Sequence, residues 1–338
     1  MCRIMNRFPG ILAVGGLATL TVLLGKYISL SSTLIAILLG FVVGNMVRLP
    51  QSFKHGIKWV ESQGLTVAVA LLGIQLNLSL LLQINTITLV AIAVAIVVTF
   101  IVTFLLAKWM HISGTDACLV ASGQAICGSA AVMATTNVLN ASKLSVGLTI
   151  AVVNFLGFIG IFIAPWLSQQ LFPNDAAASG FLIGNTLQSM GHVVAAGFTV
   201  SDEVGQTAVL IKMCRILFLI PTLLVLIFWV GKSKNRPISS GQKKPVVTKK
   251  LSWLKLVPLF IWGFLGLVFL SSMGWVSKDL AGVLKQTGDL LFVLAMVAIG
   301  LGIRVHEIWQ HGSQLLLLAC VVFLVQIGFT VLIVLVTH

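Results

Sequence analysis

Long apolar runs, each closed by Gly, Pro, Asn or a charged residue, recur along the whole chain. Eleven can be placed, at about 10–25, 30–47, 63–81, 86–107, 114–137, 144–166, 178–200, 206–231, 254–272, 287–303 and 313–336. Most reach or approach the roughly 20 residues that a helix needs to cross about 30 Å of hydrocarbon. Lipid offers no partner to an open backbone, so such runs cross as helices. An outer-membrane barrel would instead alternate apolar and polar residues in segments of about ten, and no such alternation is present. The pattern predicts an all-α polytopic membrane protein of about eleven transmembrane helices.

Composition agrees. The chain is 58% hydrophobic and 9% charged, against roughly 25% charged in a soluble domain. The net charge of +13 would suggest nucleic acid if it were spread over a surface, but it is gathered in loops. With the N-terminus cytoplasmic, fifteen basic residues fall on the inner face: Arg3, Arg7, Arg48, Lys54, Lys58, Lys108, eight between Lys232 and Lys255, and Arg304. Four fall outside, at Lys26, Lys143, Lys278 and Lys285. This is the positive-inside pattern, and it predicts a bacterial inner-membrane protein with its N-terminus in the cytoplasm and no nucleic-acid partner. The start MCRIMNRFPGILAVGGL has the basic and apolar parts of a signal peptide but no small-x-small cleavage site after Lys26, so it reads as a retained first helix. The five cysteines lack metal-ligand or CxxC spacing and read as small core residues.

One polar stretch, KSKNRPISSGQKKPVVTKK from Lys232 to Lys250, interrupts the apolar pattern. It divides the chain into helices one to eight (1–231), a basic cytoplasmic linker (232–253) attracted to anionic lipid, and helices nine to eleven (254–338). A weak internal repeat aligns LLGIQLNLSLL (Leu71 to Leu81) with AIGLGIRVHEI (Ala298 to Ile308). By the helix count the two copies run in opposite directions, an inverted repeat of the kind secondary transporters use.

Two runs are rich in Gly and small polar residues: 113–142 and 179–202. Ser122, Gln124 and Ser129 lie near the middle of the first, and Asn185, Thr186, Gln188, Ser189 and His192 near the middle of the second. Small residues permit close helix packing. They also permit the helix to unwind, leaving half-helix N-termini whose free N–H groups suit an anion. In the second case the groups around Gly123 and Gly128, and around Gly184 and Gly191, replace the solute's hydration shell. His192 is a candidate for titration and proton coupling, or a satisfied core histidine.

Directly afterwards, Lys212 and Arg215 stand inside an apolar run at i, i+3 and share one helix face. Cations at that depth usually face a bundle interior or an aqueous cavity. Snorkelling or structural pairing is the competing account. Few carboxylates stand near the spans, so the excess positive charge favours an anionic solute. Gln75, Asn77 and Asn154 are further embedded polar residues suited to bonding between helices or to lining a path. No nucleophile elbow, zincin, Walker or dinucleotide motif is present, so neither an enzyme nor an ATP-driven pump is expected, and no cofactor or metal.

The segments GQAICGSAAVMAT (Gly123 to Thr135), GNTLQSMGHVVAAG (Gly184 to Gly197), AVLIKMCRILFLIP (Ala208 to Pro221) and LAMVAIGLGI (Leu294 to Ile303) resemble the YeiH family of bacterial inner-membrane proteins in order and spacing. The resemblance covers nearly the whole chain. It implies a panel and a core domain, crossed broken helices, elevator-type alternating access, and export of sulfate or a sulfonate; it also allows a homodimer. The family's SICGxxA pattern falls on Ala125 to Ala131, with Ala125 in place of the usual Ser, and its Lys and Arg fall on Lys212 and Arg215. Where the family has His and an acid followed by Gln, this chain has Gln188, Ser189 and His192. The expected function is a secondary transporter of a small anion. Ser122, Gly123, Gln124, Cys127, Gly128 and Ser129 form one half of the site, and Asn185, Thr186, Gln188, Ser189 and His192 the other. Lys212 and Arg215 supply positive potential. A ligand-binding channel or membrane sensor without coupled flux, and a cation/proton antiporter, are the alternatives.

Overall fold

The computed structural model describes residues 7–25, 32–47, 50–75, 85–139, 141–233 and 259–337. Most of the basic linker, together with Lys26, Arg48, Asn77 and the end of the 71–81 repeat, lies outside them. Among the described residues there is helix on every one of the eleven apolar runs and no strand. The helices are α1 (Phe8–Leu24), α2 (Ser32–Met46), α3 (51–75), α4 (Thr86–Trp109), α5 (114–127), α6 (Ser129–Leu139) and α7 (Lys143–Leu171). They continue with α8 (Ala176–Thr186), α9 (Met190–Val200), α10 (Asp202–Leu217), α11 (Leu219–Ser233), α12 (Leu259–Ser272), α13 (Lys278–Gly302), α14 (Val305–His311) and α15 (Ser313–Thr337). Five described helical stretches are long and apolar enough to cross a membrane: Thr86–Trp109, Leu144–Leu171, Asp202–Leu226, Asp279–Gly302 and Ser313–Thr337.

Two bundles form. In the first, α13 packs along α2 and α3, α12 packs on α3, and α1 packs on α2 and α3. Lipid tails are as apolar as Leu side chains, so these contacts depend on close backbone approach. Glycine provides it: a Cβ on Gly40 would lie 2.4 Å from the Val297 carbonyl oxygen, and one on Gly300 2.4 Å from that of Ile37. The Asn45 side chain then ties the end of α13 to α2, donating to the Ile303 carbonyl (2.9 Å) and accepting from the Val305 N–H (3.0 Å). The second bundle holds α4 to α11 and α15, with α10 packed against both α8 and α9. Each bundle therefore draws on helices from both sides of the linker.

The runs read as the fifth and seventh spans do not pass straight through. Each folds back as a helical hairpin. In the first, α5 and α6 pack along each other, so that a Cβ on Gly123 would lie 2.9 Å from Val132 Cγ2. A straight helix would hold residues nine apart at about 13 Å. The turn is at Gly128, whose φ of 68° and ψ of −131° suit glycine alone. In the second, Gly184 of α8 and Gly197 of α9 both lie against Ala208 of α10, and the chain reverses over 187–189. Ser189 opens α9 by accepting from the His192 N–H. Sequence length alone misleads at both hairpins, because two short helices joined by a turn contain as many apolar residues as one span.

Candidate functional site

The two hairpin tips meet inside the second bundle. A Cβ on Gly128 would lie 3.5 Å from the Gln188 carbonyl oxygen, and the Gln188 amide donates to Gln124 Oε1 at 2.7 Å. Lys212 and Arg215 lie behind the tips, fully buried. The Lys212 ammonium donates to the carbonyls of Ile126 and Leu187, both at 2.6 Å. Arg215 donates through Nε to the Ala125 carbonyl (2.5 Å), through Nη2 to that of Gln124 (2.6 Å) and through Nη1 to that of Asn185. These five carbonyls close the C-terminal ends of α5 and α8, which have no partner within their own helices and carry partial negative charge. The i, i+3 spacing lets one face of α10 reach both ends. From α15, Gln326 donates to the Asn185 carbonyl (3.0 Å) and the Ala319 carbonyl accepts from Gln124 (3.2 Å). The Asn185 amide donates to Thr330 Oγ1 (3.1 Å).

The C-terminal ends being held from behind, the N-terminal ends of α6 and α9 face the other way. Ser129 and Ala130 from α6 and Met190 from α9 line a cleft of about 590 Å³ between the two bundles. Across it stand Lys54, Lys58, Glu61, Ser62 and Leu65 of α3, with Arg304 at the end of α13 and Asn154 on α7. From Lys54 to Leu65 the wall descends about 16 Å along α3, roughly half the hydrocarbon thickness. Among the described residues four ionisable side chains line the cleft, three of them basic, and Glu61 is the single carboxylate.

Of the residues singled out from sequence, Ser129 and Asn154 line this cleft. Gln124, Cys127, Gly128, Asn185 and Gln188 belong to the tips or their bonding network. Ser122 and Thr186 turn their hydroxyls back to the Leu119 and Leu182 carbonyls of their own helices. Gly123 packs on Val132 and Val153. His192 is buried, its Nδ1 2.9 Å from Ser189 Oγ. Lys54, Lys58 and Arg304 had been read only as loop charges and Glu61 had not been singled out. Their spacing was the available signal, since 54, 58 and 61 follow i, i+4, i+7 and share one helix face.

Fold and cleft together define an all-helical membrane protein built around two hairpins whose tips meet beside an interbundle cleft. The chain belongs to the family described as Conserved hypothetical protein 698, whose model matches residues 9–319. It is 30% identical to a UPF0324 membrane protein of Yersinia pestis, over 95% of this chain and 90% of that one. It is also 30% identical to the UPF0324 membrane protein YdhF of Lactococcus lactis, over 93% of each. The UPF0324 inner membrane protein YeiH of Salmonella typhimurium is 29% identical over 95% of this chain and 92% of its own, in keeping with the resemblance drawn from the motifs. No solved structure matches the chain.

Proposed function

We propose that the protein is a secondary transporter of a small anion of the sulfate or sulfonate class, working by alternating access in a bacterial inner membrane. The observation that carries this reading is the pair of half-helix N-termini opening onto one cleft rimmed by Lys54, Lys58 and Arg304. Each N-terminus presents free N–H groups and about half a positive charge. Behind the tips, two C-terminal ends worth about one negative charge face two cations, leaving roughly one positive charge in excess. Among the described buried residues there is no Asp or Glu to cancel it. In this account Lys212 and Arg215 act through the tips, and the solute meets Ser129, Asn154 and the N–H groups around Ala130 and Met190.

The hairpins also refine the topology. With two runs folded back, the proposed crossings number nine, and the first hairpin enters from the cytoplasm and the second from outside. Lys143 then joins the cytoplasmic face, so the basic bias of fifteen to four becomes sixteen to three, which favours this arrangement over eleven crossings. Hairpins entering from opposite faces make an inverted pair, and movement of the hairpin bundle along the glycine-packed bundle would expose the cleft to each side in turn. The cleft rim lies at the cytoplasmic end. An inside-negative potential supplies about 2.3 kcal/mol per charge per 100 mV, so a divalent anion leaves the cell without any coupling ion.

Counterflow of radiolabelled sulfate into proteoliposomes, with sulfonates and phosphate as competitors, tests the reading. Saturable, competed exchange is expected, weakened when Lys54, Lys58 and Arg304 are neutralised together. Folded protein that binds sulfate but carries no flux would identify a sensor instead.

A further inference from the structure

The cleft wall contains one feature that anion binding does not require. Among the described residues Glu61 is the single carboxylate lining it, and it sits in a π turn, Val60–Gly64, that interrupts α3. Such turns insert one extra residue into a helix and frequently mark functional sites. Here the turn sets Glu61 beside Gly302, where a Cβ would come within 4.0 Å of Glu61 Oε2. A negative charge in this place opposes the purpose of the surrounding groups. From its own helix Lys54 and Lys58 share the cleft with it, and from the end of α13 comes Arg304. The α6, α7 and α9 walls offer Ser129, Asn154 and Met190, none of which titrates near neutral pH.

On the anion-transport reading above, we propose that Glu61 takes up and releases a proton during the cycle, so that one proton crosses with each anion. The proton goes from water in the open cleft to a carboxylate oxygen of Glu61 and returns to water on the far side; no bond to the anion is made or broken. Protonation removes the negative charge of Glu61 from the wall and strengthens anion binding, and by linkage the bound anion favours protonation to the same degree. A divalent anion moving with one proton still carries one net negative charge outward, so the membrane potential continues to drive export.

The test measures sulfate counterflow and, separately, net sulfate efflux in proteoliposomes between pH 6 and pH 8, with a pH-sensitive dye trapped inside to follow the net efflux, for wild type and Glu61→Gln. Wild type should need on the order of tenfold less sulfate for half-saturation at the acid end, and the dye should report protons moving with sulfate. E61Q should hold one affinity across the range and move no protons. Infrared spectroscopy provides a second readout that does not depend on turnover. A carboxylic-acid band should appear on acidification of wild type, shift its midpoint when sulfate is added, and be missing from folded E61Q. A sulfate-insensitive band, or an E61Q protein that keeps the wild-type pH profile, overturns the proposal while leaving anion transport standing. Wild-type protein that carries no sulfate at any pH overturns both.

Discussion

Replacing Lys212 by Met keeps the length of the side chain and removes its charge. Two carbonyls, Ile126 and Leu187, then lose their donor at the hairpin tips. A buried polar group left without a partner costs about 1–3 kcal/mol, so the pair amounts to about 2–6 kcal/mol. Part of this is returned because a cation no longer has to be buried, and replacement by an apolar residue of similar volume recovers some of that desolvation. A net loss of about 2–3 kcal/mol follows. At roughly 2–4 °C per kcal/mol this is an apparent Tm lower by about 5–10 °C. Arg215→Met should behave similarly, softened because Gln326 still donates to the Asn185 and Gln124 carbonyls. The assay is the loss of monodisperse protein on heating in detergent, read by size-exclusion chromatography without any solute. Wild-type Tm in both variants would refute the idea that these cations clamp the tips. Lost anion affinity at unchanged Tm would instead place them on the solute's path.

Three further outcomes check other parts of the structure. Single cysteines at Ser142 and Asn174, both exposed, should be labelled from the cytoplasm and from outside respectively by an impermeant maleimide; straight passage of the two glycine-rich runs requires the reverse. Gly300→Leu should lower thermal stability and yield by forcing side-chain atoms into the Ile37 carbonyl, whereas Gly16→Ala, with nothing within 4 Å of its Cβ, should be neutral in the same heating assay. Gly128→Ala, at positive φ, should cost about 1–3 kcal/mol and abolish sulfate counterflow, since the turn that brings α6 to the cleft is strained by any Cβ.

The helices were legible because hydrophobic length is a direct requirement of the bilayer. The hairpins were not, because what separates a hairpin from a span is which distant residues meet: Gly123 with Val132, and Gly184 and Gly197 with Ala208. The glycine content announced an irregularity without saying whether the chain unwinds or reverses. Lys212 and Arg215 were legible as buried cations, but sequence could not show that backbone carbonyls 25 to 91 residues away would take up their donors. The start of α3 was missed by twelve residues, because QSFKHGIKW is too polar to count as membrane span. That same polarity is what lines the cleft.

The glycine-mediated joint between α2 and α13 also sets a schedule for making the protein. Asn45 and Ile303, bonded across it, are separated by 258 residues. At about 5–20 residues per second, the ribosome needs roughly 13–50 s to supply the second surface after the first has entered the membrane. Throughout that interval the Gly40 and Gly44 stripe of α2 has no α13 to pack on, and by its end the hairpin bundle up to α11 has been made and lacks α15 alone. Assembly of one half of the molecule thus waits on the last quarter of translation, and a chain cut short before α13 leaves α2 available to insertases and quality-control proteases.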